Sequence, residues 1–172
     1  ERLVDLGIEP LLLSTQYRMH PAISKFPNQH FYSDRLDDGV KSENRLAPAG
    51  LLWPDWDNPV AFVPVDGGEV VSPDGTSREN PAEVSWVIKI LNDILEAGEI
   101  TKTDIGIITP YAGQVRAIRN SMSEKLDDVE VKTVDGYQGR EKEVIIFSCV
   151  RSNNEQNIGF LSEMRRLNVA LT

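Results

Sequence analysis

The stretch NPAEVSWVIKILNDILEAG at residues 80–98, with IGIIT at residues 105–109, decides the fold class. Asn80 predicts a helix N-cap, Pro81 the first helical position and Gly98 the helix end. The apolar residues between them recur at helical spacing and predict one buried face. That face comprises Val84, Val87, Ile88, Leu91, Ile94 and Leu95. The short apolar run that follows is typical of a buried strand.

The rest of the chain repeats this alternation. Further strands are predicted at residues 10–15, 59–65, 129–134 and 144–150. Further helices are predicted at residues 21–32, with a kink or break at Pro27, at residues 114–126, and from about Ser162 to Leu171. Apolar strands that alternate with amphipathic helices predict an α/β fold, a parallel sheet with helices on both faces. A length of 172 residues, 40% of them hydrophobic, fits one domain with its own core.

Composition sets limits on function. The formal net charge is −9, yet residues 131–172 carry 6 of the 18 basic and 5 of the 27 acidic residues, so the acidic excess lies in residues 1–130. Because distant charges are screened beyond about 8–10 Å, this balance neither supports nor excludes a nucleic-acid partner. The chain has no apolar run of membrane-spanning length, so we expect no membrane partner.

Several catalytic motifs are missing from the sequence. There is no G-x-x-x-x-G-K-[ST] loop to hold phosphates and no adjacent Asp-Glu pair to hold Mg²⁺. One cysteine, Cys149, excludes an internal disulfide, suits a reducing compartment and reads as a small core residue. Two histidines and one cysteine give little support to a zinc site or a Cys–His nucleophile, so no metal site is predicted.

Ligands of parallel α/β sheets bind at the carboxyl ends of the strands. At one such end, the ring of Tyr17 offers a face for a purine and the guanidinium of Arg18 offers a fork for phosphate. The commoner arrangement of such residues is an arginine paired with a neighbouring carboxylate beside a packed tyrosine. His20 is expected to hydrogen bond at the start of the following helix.

A second candidate is the loop VDGYQGREKE at residues 134–143. Its glycines permit close backbone approach to a phosphate or a sugar, and Glu141 is a candidate acceptor for ribose hydroxyls. The alternative is that Glu141 is a solvated charge. Arg165 and Arg166 are expected to be a surface pair that braces the last helix, balanced by Glu163.

Four segments in order carry a family resemblance. They are QYRMHPAISKFPNQHFY at 16–32, DIGIITPYAGQV at 104–115, VKTVDGYQGREKEVIIFSCVRSN at 131–153 and IGFLSEMRRLNVALT at 158–172. Together they resemble the second RecA-like domain of superfamily 1 helicases, in the up-frameshift group that acts in nonsense-mediated mRNA decay. The resemblance covers nearly the whole chain, and only residues 33–80 match loosely.

The resemblance implies roles for individual residues. Tyr17 is expected to stack on adenine, Arg18 to act catalytically on the γ-phosphate, and Glu141 to contact the ribose. Gln138 is expected to couple the ATP site to the nucleic-acid site. The residues expected to contact the nucleic-acid backbone are Thr109, Pro110, Tyr111, Thr133, Val134 and Asp135.

The implied activity is ATP-dependent helicase action, with ATP and Mg²⁺ as cofactors and the Mg²⁺ ligands in a first RecA-like lobe. The implied partners are single-stranded RNA or DNA and that first lobe, with decay factors compatible; the implied location is the cytoplasm, or alternatively the nucleus. Residues 1–172 alone are expected to be inactive. Competing interpretations are a related DNA-processing helicase lobe and a non-catalytic nucleic-acid-binding or protein-binding module.

The resemblance also implies that the lobe is truncated at its C-terminal end. The family motif continues after Thr172 with a second γ-phosphate arginine and a further strand. We therefore expect the last helix to bury Leu167 and Leu171 against the sheet and the sheet to keep an unpaired edge.

Overall fold

The computed structural model of the protein describes residues 2–9 and 11–172. The helices are α1 (Arg2–Asp5), α2 (Pro21–Phe31), α3 (Pro81–Ala97), α4 (Ala112–Ser121), α5 (Val134–Tyr137) and α6 (Met164–Leu171). The strands are β1 (Thr15–Gln16), β2 (Asp37–Asp38), β3 (Val70–Val71), β4 (Arg78–Glu79), β5 (Ile105–Thr109), β6 (Glu130–Thr133) and β7 (Val144–Phe147). Short 3-10 helices lie at Ser42–Asn44, Lys102–Asp104, Glu124–Leu126 and Gly159–Ser162.

The central sheet is parallel and has the strand order β6-β5-β7. Strand β5 lies in the middle, and all five of its residues are buried. In the register, Ile107 lies beside Val131 of β6 and Ile146 of β7. All three strands therefore end at the same edge of the sheet, which is where the polar segments predicted from the sequence follow them.

Helices cover both faces of this sheet. Ile105 and Ile107 belong to one core with the buried stripes of α3 and α4, including Leu91 and Ile118. On the opposite face, Gly106 lies beneath the Tyr137 ring of α5, where any Cβ would collide with the tyrosine hydroxyl. The predicted α/β class with a parallel sheet between helices is confirmed.

Local signals located α3 and β5 correctly. Asn80 caps α3 by accepting a hydrogen bond from the Glu83 N–H at 3.2 Å, and Gly98 ends the helix at a φ of +78°. The strand at residues 105–109 has the predicted bounds. The strands predicted at 129–134 and 144–150 are shorter than expected, as is the helix predicted at 114–126, which is α4 followed by a separate 3-10 turn.

Two predicted strands are wrong in whole or in part. Residues 59–65 have no strand assignment, and of the run at 10–15 only Thr15 is in a strand, pairing with Asp37 of β2; residue 10 lies outside the described residues. The side chains of Leu11 and Phe62 are 96% and 84% exposed. An apolar run forms a strand only where a neighbouring backbone supplies hydrogen bonds. Residues 59–65 have no such neighbour among the described residues, and the run at 10–15 has it only at Ser14 and Thr15, beside Asp37.

The helices near the chain ends also differ from expectation. Helix α2 runs continuously through Pro27, which is buried within it, so the predicted break is wrong. Helix α6 packs mainly against α2, α5 and the 3-10 turn before it. Leu167 and Leu171 are half-buried in those contacts rather than buried against the sheet. In the described part of the chain, no helix is long and apolar enough to cross a membrane.

Candidate functional site

The two segments predicted to contact nucleic acid lie side by side at the carboxyl edge of the sheet. Thr109 at the end of β5 is the register partner of Thr133 at the end of β6. Thr133 caps α5, because its Oγ1 accepts a hydrogen bond from the Gly136 N–H at 3.2 Å. Pro110 and Tyr111 are half-buried and begin the connection to α4.

Burial limits which side chains of these segments can contact a single-stranded nucleic acid. The side chains of Thr109 and Val134 are buried, so neither presents a polar or apolar group to a ligand in this structure. The expectation that the Thr109 side chain faces phosphate does not fit that position. Asp135 is exposed, and its carboxylate lies 3.5 Å from Arg166 of α6. The accessible candidates are Asp135, which is exposed, and Pro110, Tyr111 and Thr133, which are half-buried.

The Tyr17–Arg18 turn is shaped by Gln16, which sequence reasoning did not single out. Its Oε1 accepts hydrogen bonds from the Arg18 N–H at 2.9 Å and the Met19 N–H at 2.8 Å. Its Nε2 donates to Asp38 Oδ1 at 2.7 Å, which ties the turn to β2. His20 caps α2, as expected, by accepting from the Ala22 N–H at 3.0 Å. The Gln16 side-chain amide, which both donates and accepts, thus fixes the backbone of the turn that carries Tyr17 and Arg18, the two candidate ATP-binding residues.

Tyr17 presents a flat apolar surface to solvent. Its side chain packs against Gly39, where any Cβ would collide with the ring, and the residue is still 70% exposed. A ring supported on one side and open on the other is suited to stacking on a purine.

Arg18 and Glu141 meet although 123 residues separate them. The Arg18 Nε lies 2.8 Å from Glu141 Oε2, and its Nη1 donates to the Thr172 carbonyl at 2.7 Å. Both side chains are largely exposed. The structure therefore brings together the three residues expected to bind ATP, and it also contains the arginine–carboxylate pair that was the alternative interpretation.

A buried polar network behind this edge was not predicted. Gln114 of α4 accepts from the Asn80 N–H at 2.8 Å and donates to Ser148 Oγ at 2.9 Å. Ser148 donates to Glu83 Oε2 at 2.5 Å. Side-chain hydrogen bonds thus connect the start of α3, the start of α4 and the end of β7. The only sequence signal was polar residues inside otherwise apolar elements.

Comparison with known proteins now gives the family. A family model described as "AAA domain" matches residues 1–172. The chain belongs to this AAA domain family. The RecA-like α/β fold and the resemblance to the up-frameshift helicase group are both confirmed.

Relatives of this AAA domain are similar over its whole length. The Regulator of nonsense transcripts 1 homolog of Drosophila melanogaster is 46% identical over 179 residues, which is 100% of this chain and 15% of that protein. The ATP-dependent helicase upf1 of Schizosaccharomyces pombe is 44% identical over 180 residues, 100% of this chain and 19% of that protein. The ATP-dependent helicase NAM7 of Saccharomyces cerevisiae is 43% identical over 180 residues, 100% and 18% respectively. The chain spans less than a fifth of each of these relatives.

A second polar cluster of the AAA domain surrounds Glu69. Its carboxylate, nearly buried, accepts from Arg151 Nε at 2.7 Å and pairs with Arg78 at 2.8 Å. Burial opposes ionisation of Glu69, but hydrogen bonds from Asn153 and the Ser152 N–H, together with the charge of Arg151, hold its pKa below the usual value. The cluster fixes the segment that follows β7.

Two further predicted residues have simple positions. Gln138 is exposed directly after α5, between the Thr133 cap and Glu141. Cys149 is half-buried, and burial together with the charge of Glu83 raises the pKa of its thiol to about 11, so the thiol stays protonated. Among the described residues, no group of His, Cys, Asp and Glu side chains could hold a metal ion.

Proposed function

We propose that this AAA domain is the second motor lobe of an ATP-dependent superfamily 1 helicase that acts on single-stranded RNA in nonsense-mediated decay. The observation that carries the proposal is the meeting of Arg18 and Glu141, with Tyr17, whose side chain is exposed, preceding Arg18 in the same turn. These groups supply in one place a stacking surface, a hydroxyl acceptor and a phosphate-binding fork.

Each group has a defined task in this proposal. Adenine stacks on Tyr17, and the Glu141 carboxylate accepts hydrogen bonds from ribose hydroxyls. Arg18 leaves Glu141, or shares its five N–H donors with it, and binds the γ-phosphate. As charge spreads over the transferring phosphoryl oxygens, the guanidinium, which is by then already bound there, stabilises it. Mg²⁺ would be held by residues of a first RecA-like lobe.

The proposed surface for single-stranded nucleic acid, called here the strand-binding face, lies where β5 and β6 end side by side. Thr133, Asp135, Pro110 and Tyr111 lie together at that edge. Contacts to the phosphates and sugars of a nucleic acid position it without reading its base sequence. The segment from Thr133 to Glu141 joins this face to the ATP-binding groups, and Gln138 lies within it, which supports a coupling role.

RNA is favoured over DNA because relatives along the whole chain are named regulators of nonsense transcripts. The proposal places the protein in the cytoplasm, a reducing compartment that suits a chain whose single cysteine can form no internal disulfide. Decay factors are the protein partners that this function implies.

Steady-state ATP hydrolysis by the full-length protein tests the proposal. We expect turnover to rise on addition of oligouridine, and a duplex with a single-stranded tail to unwind only with ATP. Stimulation by single-stranded DNA alone would favour the DNA-processing alternative. Strand binding without any ATP turnover would favour a non-catalytic module.

A further inference from the structure

The turn that follows β7 has an unusual backbone. Val150 has a φ of +70° and is 0% exposed. The Arg151 N–H donates to the Cys149 carbonyl at 2.8 Å, which closes a three-residue turn around Val150. A γ-turn with a positive central φ is rare and strained, and a β-branched residue suits that region poorly. Such a conformation persists only where surrounding groups hold it in place.

Glu83 supplies that hold. Its two carboxylate oxygens lie 2.9 and 3.0 Å from the Val150 backbone nitrogen, and both accept its N–H. The same carboxylate accepts the Ser148 hydroxyl, which Gln114 orients in turn. Glu83 lies in the first turn of α3, which Asn80 caps, so the group that holds the turn is itself fixed.

The turn determines where Arg151 points. After Val150, the Arg151 guanidinium reaches the nearly buried Glu69 and lies close to the Tyr111 hydroxyl, both groups meeting over Gly159. Gly159 covers this contact, because any Cβ there would collide with both side chains. Tyr111 belongs to the segment that we propose contacts single-stranded nucleic acid. A chain of direct contacts therefore runs from Glu83 through Val150 and Arg151 to that segment.

We propose that Glu83 is a positioning residue for single-strand binding, which holds the strained turn at Val150 and thereby aims Arg151 at Tyr111. The inference rests on the proposed function, since it assigns a support to the strand-binding face. Glu83 acts through Arg151 and Tyr111, so its loss should change strand affinity and leave ATP binding unchanged.

The test measures binding of fluorescent oligouridine to the full-length protein by anisotropy. Glu83→Gln keeps the shape of the side chain but removes its charge and one acceptor. We expect Kd to rise about tenfold, the ratio typical of losing a charge-assisted hydrogen bond, with an unchanged KM for ATP. Glu96→Gln, the same change at an exposed position of α3, is the matched control and should leave Kd unchanged.

Variants at Val150 separate positioning from a general effect on folding. Glycine adopts a positive φ without strain, so in a Val150→Gly background the turn no longer needs Glu83. Glu83→Gln should then raise Kd by less than about twofold, a non-additive result. Val150→Ala also removes the buried side chain but keeps a Cβ, so in that background the full loss should remain.

Four results would overturn the inference. They are an unchanged Kd for folded Glu83→Gln, an equal loss in the glycine and alanine backgrounds, a matching rise in KM for ATP, and an unfolded Glu83→Gln that Val150→Gly fails to restore. Thermal unfolding identifies the last case. A parent protein that binds no single strand would overturn the proposed function together with this inference, whereas a binding parent with an unaffected variant overturns the inference alone.

Discussion

Arg18 is either an exposed ion-pair residue or a catalytic arginine, and the size of the fall in kcat on replacing it with alanine distinguishes the two. The side chain of Arg18 is 48% exposed and its Nε lies 2.8 Å from Glu141. An exposed ion pair of this kind contributes about 0–1 kcal/mol, or at most about fivefold in a rate. An arginine that stabilises a transferring phosphoryl group contributes about 10³–10⁵-fold in kcat. The two expectations differ by more than two orders of magnitude.

The assay is steady-state ATP hydrolysis by the full-length protein at saturating oligouridine, with nucleotide affinity measured separately by a fluorescent ATP analogue. We expect Arg18→Ala to lower kcat by at least about 10³-fold and to change nucleotide Kd much less. Glu141→Gln is the control, because it breaks the same ion pair from the other side. Tyr17→Ala should mainly weaken nucleotide binding, since stacking on an aromatic ring contributes about 1–3 kcal/mol per base.

A fall in kcat of less than about fivefold for Arg18→Ala, matched by Glu141→Gln, would refute the catalytic assignment. Arg18 would then be an exposed ion-pair residue, and the phosphate-binding arginine would lie elsewhere in the protein. Unchanged nucleotide binding in Tyr17→Ala would refute the stacking surface as well.

Three further predictions follow from burial and charge. Residues 1–172 alone should hydrolyse no ATP, because the sequence has no phosphate-binding loop; turnover by the purified chain would contradict the two-lobe arrangement. Thr133→Ala should weaken oligouridine binding about fivefold through loss of a capping hydrogen bond, whereas Thr109→Ala, at a buried position, should change thermal stability and not affinity. Because the pKa of Glu69 is lowered in the folded state, its contribution to stability is present above its unfolded value of 4.5 and lost as pH falls below it. Glu69→Gln should therefore reduce the acid dependence of unfolding, and an unchanged dependence would show that Glu69 does not contribute.

The sequence predicted correctly those elements that depend on residues close together in the chain, and failed where an element depends on a distant partner. Helix α3 was located correctly because its signals are local: an N-cap, a proline, one apolar face and a terminal glycine. Strand β5 was located because three isoleucines give it a short apolar run, and all five of its residues are buried. The segment at 59–65 has similar apolar residues but no ladder partner among the described residues, and no local pattern records the presence of a partner.

The candidate site shows the same limit more sharply. Residue types alone favoured Arg18 as an ion-pair residue, and the partner they could not name is Glu141, far away along the chain. Only the family resemblance joined these residues before the structure did. The contact of Glu83 with Val150 likewise depends on how the start of α3 meets the segment after β7, which no local pattern records.

Three turns that carry or support the proposed binding residues are held by the same kind of hydrogen bond. At each, a side-chain oxygen accepts a backbone N–H and fixes a turn: Gln16 for Arg18, Thr133 for Gly136, and Glu83 for Val150. A turn held in this way loses little conformational entropy when a ligand arrives, so more of the contact energy appears as affinity. Each holding residue comes from a different element, so the turns can be weakened one at a time. If these hydrogen bonds set ligand geometry, Glu83→Gln should affect only binding of single-stranded nucleic acid, and Gln16→Ala should affect mainly ATP turnover. Equal effects of both variants on both ligands would mean that the turns merely stabilise a common fold.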